Sequence, residues 1–377
     1  MKVAQIVPSL ETRHGGPSVS VPRLAQAQSA EHEVTLFTTG AVPASIDEHT
    51  SCPVHTGPRG WPESLCLAPG LPQALTQFSP DILHSHGLWL RALHHADVVA
   101  ARLRRPHVIS PRGMMSHWAW RHRRIQKVIA ERLLHPHALK RAAGWHATSP
   151  EERDEIRALG FEQPICVAPN GVTSPTTREV EESRAYWHRL CPAVKQHRTA
   201  LFYSRFHRKK RVIELIDLWL ATAPEDWILL LVGMPQEYSV DQLESYVHRC
   251  SGSGRVRVFS GENRPPPYAI ASLFLLPSHN ENFGLVVAEA MAHSVPPLVT
   301  DGTPWRFLER ESAGWCVPWA NYGDALRAVA ARPAHQLSEY GANAARLVVR
   351  DFSWQVTART LGAFYGELRS TPTAILT

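Results

Sequence analysis

"LFLLPSHNENFGLVVAEAMAHSVPPLVT", residues 273–300, reads as strand, loop, helix, loop, strand. The run from Leu273 to Leu276 is apolar at every position, as a strand covered on both faces must be. The segment from Leu285 to Ala292 is too apolar for an exposed helix, and "PPLVT" returns to strand. Strand, crossover helix and strand in this order form one parallel βαβ unit. Two carboxylates interrupt it. Glu281 stands at the mouth of the helix and Glu289 inside it, with seven residues between them. Asn282, Phe283 and Gly284 are read as the helix start, presenting unpaired N–H groups.

The same alternation runs outward in both directions. "KVAQIV", "EVTLFTT", "DILHSHG", "HVIS", "GWHATS" and "ICVAPNGV" are strand-like in the first half. "TALFYS", "WILLLVG", "VRVFSG", "LFLLPS", "PPLVT" and "GWCVP" follow in the second. Helical patterns separate them, so the fold class is α/β, with two doubly wound, Rossmann-like domains. "PNGVTSPTTREVEE" reads as the linker between them. The expected boundaries are 1–175, 176–350, and a final helix, 351–377, that crosses back onto the first domain.

At 377 residues, two domains of ordinary size are accommodated. No apolar run approaches the ~20 residues of a membrane span. The N-terminal "MKVAQIVPSL" lacks the long apolar region of a secretory signal. Six scattered cysteines without a C-x-x-C pair disfavour zinc and a disulfide framework, and fit a reducing cytoplasm. The formal net charge of +6 calls for an anionic partner. Nucleic acid is disfavoured, because no zinc-finger spacing or aromatic RNA-binding signature is present.

Loops after strands are where such sheets hold ligands. Gly15 and Gly16, ahead of a helix beginning near Pro17, allow close approach of backbone N–H groups to an anion. An ordinary turn is an equal reading of that loop. No G-x-G-x-x-G is present, so a nicotinamide enzyme is disfavoured. In "SRFHRKKR", Arg205 and Lys210 are spaced to grip a diphosphate, although a solvated basic loop explains the bare charges as well. Glu281 and Glu289 lie at two depths of the helix, separated by roughly 10 Å at 1.5 Å per residue. That suits a sugar and a ribose on either side of a diphosphate. The plain alternative makes Glu281 a helix cap and Glu289 an exposed residue.

His84, His86, Arg112 and His117 end strands of the first half and are acceptor-side candidates. With 21 histidines in the chain, each is by itself more often structural. Arg121, Arg123, Arg124, Lys127, Arg132, Lys140 and Arg141 interleave with apolar residues after Trp118 and Trp120. Such a stretch suits an anionic membrane surface, or simply a solvated basic face.

Taken together, "GGPS", "HSHGLW", "APNGV", "SRFHRKK" and "ENFGLVVAE" resemble retaining glycosyltransferases of family four, group 1, over most of the chain. "SPRGM" and "GTPW" are similar to bacterial enzymes of O-antigen, exopolysaccharide and lipopolysaccharide assembly. The resemblance implies the GT-B architecture, two doubly wound domains facing across a cleft. It implies a nucleotide-diphosphate sugar donor and a lipid-linked saccharide acceptor. Placement on the cytoplasmic face of the membrane follows, as a peripheral protein on an anionic surface.

It assigns Arg205, Lys210 and Glu281 to catalysis. Gly15, Gly16, Asn282, Phe283, Gly284 and Glu289 join Arg205 and Lys210 in holding the donor, and His86, Arg112 and His117 lie on the acceptor side. No cofactor and no metal are expected, in keeping with the lack of a D-x-D motif. The chain departs from the family where Arg112 stands in place of a common His and Arg211 in place of a common Gly. A same-fold nucleotide-sugar epimerase and a non-catalytic saccharide-binding protein are the alternatives.

Overall fold

A computed structural model describes residues 1–11, 16–43, 51–115, 137–252 and 254–370. The expectations for Gly15, His117, and Arg121 through Arg132 lie outside these residues. The chain forms two compact units, Met1–Gly171 with Ser353–Thr377, and Val172–Phe352.

The first unit holds strands β1 (Lys2–Ile6), β2 (Glu33–Thr39), β3 (Val54–Gly57), β4 (Ile82–His86), β5 (His107–Ser110), β6 (Gly144–Ala147) and β7 (Ile165–Val167). They lie in the order β3-β2-β1-β4-β5-β6-β7, each pair parallel. Val3 pairs with Val34 on one side and Ile82 on the other, which fixes β1 between β2 and β4. The final helix, Trp354–Ser370, buries Trp354, Leu361, Phe364 and Tyr365 in the core of this unit.

The second unit holds β8 (Arg198–Tyr203), β9 (Trp227–Gly233), β10 (Val256–Ser260), β11 (Leu273–Leu276), β12 (Pro297–Thr300) and β13 (Trp315–Val317). Their order is β10-β9-β8-β11-β12-β13, again parallel. The whole of β9, "WILLLVG", is buried. Each large apolar side chain there contributes about 1.5–3 kcal/mol through burial. Counted from the first strand of each unit, the second sheet runs 3-2-1-4-5-6, the Rossmann order, and the first runs the same way with a seventh strand added at the end.

Local signals place the helices. Ser149 accepts from Glu152 N and Pro150 follows at the first helical position, so Pro150–Ala158 starts where its cap dictates. The expected linker is shorter than its composition implied. Thr176 and Glu179 form a reciprocal capping box, and Thr177–Leu190 is a helix that buries Ser183 and Trp187. Its charge density conceals a narrow apolar face. The crossing between units falls at Gly171 and Val172, because Val172 joins the second core and its N–H donates to Phe352 O at 2.7 Å. Strand β3 carries no hydrophobic run, since it is an edge strand with an exposed face.

Among the described residues no helix is long and apolar enough to cross a membrane. Of the basic stretch, Lys140 and Arg141 end a short helix, Ala138–Arg141. Arg141 pairs with the buried carboxylate of Asp97, so its charge neutralises the interior rather than serving an open basic face.

Candidate active site

In the second unit the strand order reverses at β8, which lies between β9 and β11. Connections leaving β8 and β11 therefore pass to opposite faces, and the carboxyl ends of these strands frame a crevice. After β8 a single 3-10 turn, Arg208–Lys210, closes the loop. His207 caps it, with Nδ1 accepting from Lys209 N at 2.9 Å. Lys210 is thereby turned inward and is only 6% exposed. Glu281, arriving from β11, accepts a hydrogen bond and an ion pair from Lys210 Nζ. Burial would raise the Glu281 carboxyl. The charge and hydrogen bond of Lys210, with help from Ser278 and Lys209, outweigh it, and the net shift is downward. Arg205 lies exposed at the start of the same loop.

Glu281 is thus not a helix cap. Gly284 occupies the cap position of Leu285–Ala292 in the left-handed region, φ 77°, without a side-chain cap bond. The helix begins later than expected, and N–H groups without intrahelical partners start at Leu285. Asn282 and Phe283 precede it. Phe283 belongs to the core, its ring centroid 5.2 Å from that of Trp305 and its carbonyl accepting from Trp305 Nε1 at 2.6 Å. Its side chain is unavailable to a donor. Close packing holds Glu281 in place: its N–H donates to Gly302 O at 2.8 Å, and a Cβ on Gly302 would lie 2.2 Å from His279 O.

Glu289, in the second turn, accepts from the Tyr268 hydroxyl at 2.9 Å. Burial first, and the Glu289 charge second, push the Tyr268 phenol well up, so it remains a neutral donor. Tyr203, at the end of β8, is pushed up to about 12 by burial and by Glu289. Tyr268 escapes sequence reasoning because it precedes β11 and reads as a core aromatic.

Arg211 sits at φ 52°, a position that favours glycine. Its side chain offsets the backbone strain with bonds to Pro277 O at 3.0 Å and His279 Nδ1 at 2.9 Å. It also stacks over Trp319, 4.6 Å from the ring centroid. The departure from glycine is therefore accommodated without moving Lys210 out of the crevice.

The first unit presents a different constellation at the same topological place. His84 and His86, on one face of β4, are buried, as are His107 and His146. Tyr365 from the final helix meets His84 Nδ1 at 2.6 Å, and Gln5 Oε1 meets His86 Nε2 at 2.6 Å. Arg112 donates to His86 Nδ1 through Nε at 3.2 Å, and to Asn170 Oδ1 through Nη1 at 2.7 Å. Both nitrogens of His86 are held by partners within the unit, Nε2 by Gln5 and Nδ1 by Arg112. Burial lowers His84 and His86 well below the ordinary range, with neighbouring imidazoles and Arg112 adding to it. His107 falls to about 4 and His146 to about 3, both chiefly through burial.

His84, His86 and His146 bring one ring nitrogen each within 4.8 Å of one another, a spacing that could hold a metal ion. The donor set fits a cation poorly, because the Arg112 guanidinium already rests on His86. Glu152 completes the network, accepting from Gly113 N at 2.6 Å and Thr148 N at 2.7 Å. Its only sequence signal was the capping pattern Ser149–Glu152. Gly16, on the same unit, is the N-cap of Pro17–Gln28, with open space where a Cβ would stand.

Two family profiles match the chain. "Glycosyltransferase Family 4" covers residues 14–174, and "Glycosyl transferases group 1" covers residues 189–331. The GDP-mannose:cellobiosyl-diphosphopolyprenol alpha-mannosyltransferase of Xanthomonas oryzae pv. oryzae is 26% identical over 327 residues, 83% of this chain and 82% of that protein. The match to the enzyme of the same name from Komagataeibacter xylinus, also 26% identical, spans 31% of this chain and 31% of that protein's length. Among solved structures, Anabaena HepE in complex with UDP-glucose superposes with a TM-score of 0.77. It is 17% identical, over 97% of this chain and all of that one. This likeness establishes the fold, two Rossmann-like domains of the GT-B class.

Proposed function

The chain belongs to the group 1 glycosyltransferases of family 4, and on that premise we propose a retaining, metal-independent transfer of a sugar from a nucleoside-diphosphate donor to a hydroxyl of a lipid-linked saccharide. The observation that carries this reading is the buried Lys210–Glu281 pair at the switch point of the second sheet. A fixed cation at that point supports a diphosphate-binding role for Lys210, and the carboxylate beside it supports contact between Glu281 and a sugar hydroxyl.

In the donor complex the diphosphate takes over Lys210, and Arg205 closes on it from the exposed side. Glu281 is released to accept from the donor sugar. Glu289, oriented by Tyr268, accepts from the ribose hydroxyls. The bond from the anomeric carbon to the phosphate oxygen breaks, and the acceptor oxygen bonds to that carbon on the same face. The acceptor's proton passes to the leaving phosphate. Lys210 and Arg205 stabilise the charge that grows on the diphosphate, which is the dominant catalytic term. Two positive side chains fill the role a divalent cation would otherwise take.

The acceptor class is supported by the Xanthomonas oryzae enzyme, whose name specifies a saccharide on a diphosphopolyprenol. We place the reaction at the cytoplasmic face of the membrane, in assembly of a surface polysaccharide such as O-antigen, exopolysaccharide or lipopolysaccharide. The chain's net charge of +6 supports an anionic surface there.

A panel of nucleotide sugars with a polyprenyl-diphosphate saccharide tests the proposal. Mass spectrometry should show one added hexose, and the anomeric coupling in the product should match the donor's. An inverted product overturns retention. Conversion of the donor sugar without any acceptor product favours the epimerase. Full activity in a chelator confirms metal independence, and its loss overturns it.

A further inference from the structure

The Arg112 guanidinium is held at the carboxyl end of the first sheet by two neutral acceptors, His86 Nδ1 and Asn170 Oδ1. Among the described residues no carboxylate lies within ion-pair distance of it. The acid nearest in effect is Glu152, whose Oε1 accepts from Gly113 N and whose Oε2 accepts from Thr148 N and Thr148 Oγ1. Those bonds orient both carboxylate oxygens toward the backbone of the loop. A guanidinium drawn out of water without a counter-anion is unfavourable, and desolvation pushes Arg112 down to about 10.

The local structure keeps the cation in place despite this cost. Arg112 sits at φ 56°, a backbone region that disfavours side chains, and Gly113 follows at φ 78°. His86 is fixed in turn by Gln5, and Gln5 by Gln28 at 2.6 Å. A chain of neutral groups therefore orients a charge that, among the described residues, no carboxylate contacts. The residue is half-buried and keeps part of its surface exposed, by which a ligand can approach it. Nε and Nη2 are taken up by His86 Nδ1 and Nη1 by Asn170 Oδ1, which leaves one further N–H on each Nη, and a guanidinium with only neutral acceptors is suited to a phosphoryl group.

We infer that Arg112, oriented by His86 and Asn170, is a phosphoryl-binding residue of the first unit, separate from the Lys210 clamp. The inference rests on the sugar-transfer reading only for the source of the phosphate, the diphosphate of a lipid-linked acceptor or that of the donor. The chemistry is the same in both.

The test is titration calorimetry on the full chain with farnesyl diphosphate, farnesol, GDP and UDP. The variants are Arg112→Gln, Arg112→Lys and Asn170→Asp. Asn170→Asp puts a carboxylate against the guanidinium and supplies the missing anion internally. It should raise the melting temperature while weakening the phosphorylated ligand, a pairing that a purely structural role would not produce. Arg112→Gln should weaken farnesyl diphosphate by roughly tenfold or more, in line with a charge-assisted hydrogen bond. Arg112→Lys should recover only part of the loss.

Loss confined to farnesyl diphosphate, with nucleotide binding intact, assigns the phosphate to the acceptor. Loss confined to GDP or UDP assigns it to the donor and keeps the inference. Absence of diphosphate-dependent binding in the wild type, or binding that survives both Arg112→Gln and Asn170→Asp, overturns it. If the wild type binds farnesyl diphosphate through Arg112 but no nucleotide, the sugar-transfer reading fails and this inference stands.

Discussion

The two units share one strand order and diverge in what they place at its reversal. The second puts an ion pair there, Lys210 with Glu281, backed by Tyr268 and Glu289. The first puts neutral imidazole, amide and phenol groups there, with one guanidinium that, among the described residues, has no carboxylate in contact. Topology decides where a ligand can sit, and the side chains at that place decide what it can be. The difference extends to protonation. Among the described residues the buried histidines, His84, His86, His107 and His146, lie in the first unit.

The largest contrast is therefore in response to acid. All four imidazoles are lowered by burial, His107 to about 4 and His146 to about 3. Their pKa values are lower in the folded than in the unfolded state, so between those values the unfolded chain binds more protons. Stability is full above about pH 6.5 and is lost as pH falls toward 3. At about 1.4 kcal/mol per pKa unit, the loss amounts to several kcal/mol. Hydrogen exchange followed by mass spectrometry from pH 7 to 4.5 should show the first unit losing protection before the second. Simultaneous loss breaks the contrast.

Next in size is the ion pair. Lys210→Met leaves Glu281 buried without its partner, a loss of about 3–5 kcal/mol. Adding Glu281→Gln removes the stranded charge and should restore most of the stability. Turnover in both variants should fall by about 10²–10³-fold, because the leaving diphosphate loses its cation. Chemical denaturation and initial rates separate the two effects. Recovery of turnover in the double variant would remove Lys210 from the chemistry.

Smaller effects divide the two glutamates. Glu289→Gln should weaken a free nucleoside diphosphate by about 1–2 kcal/mol, and Tyr268→Phe should follow it in the same direction. Glu281→Gln should tighten the same ligand slightly, since the phosphate no longer competes with a carboxylate for Lys210, while transfer falls. Calorimetry with the nucleotide alone reads both. Equal weakening by the two substitutions would collapse the division between sugar and ribose.

The smallest effect sharpens the account of the clamp loop. Arg211→Gly loses the bonds to Pro277 and His279 but relieves a left-handed backbone. Arg211→Ala loses the same contacts and keeps the strain. Glycine should therefore be more stable than alanine here by about 1 kcal/mol in thermal unfolding. The reverse order would mean that the backbone at Arg211 relaxes on substitution.

The sequence by itself determined the alternation of strands and helices, because a strand buried on both faces must be apolar throughout. "WILLLVG" and "LFLLPS" leave no other reading. It also placed Lys210, Glu281 and Glu289 in strand-to-helix loops or just beyond them, where short-range spacing is sufficient. Tertiary structure alone decided their partners. Lys210 and Glu281 are 71 residues apart in the chain, Glu289 and Tyr268 are 21 apart, and His84 and Tyr365 are 281 apart. No local pattern records which side chain closes on another across a sheet. Residues 177–182 read as linker and are helix for a related reason: the charged helix Thr177–Leu190 needs only two buried positions to dock, too few to register as a period. The roles of His86 and Arg112 follow the same rule. Whether a polar side chain is offered to a ligand or held by the protein depends on what surrounds it after folding.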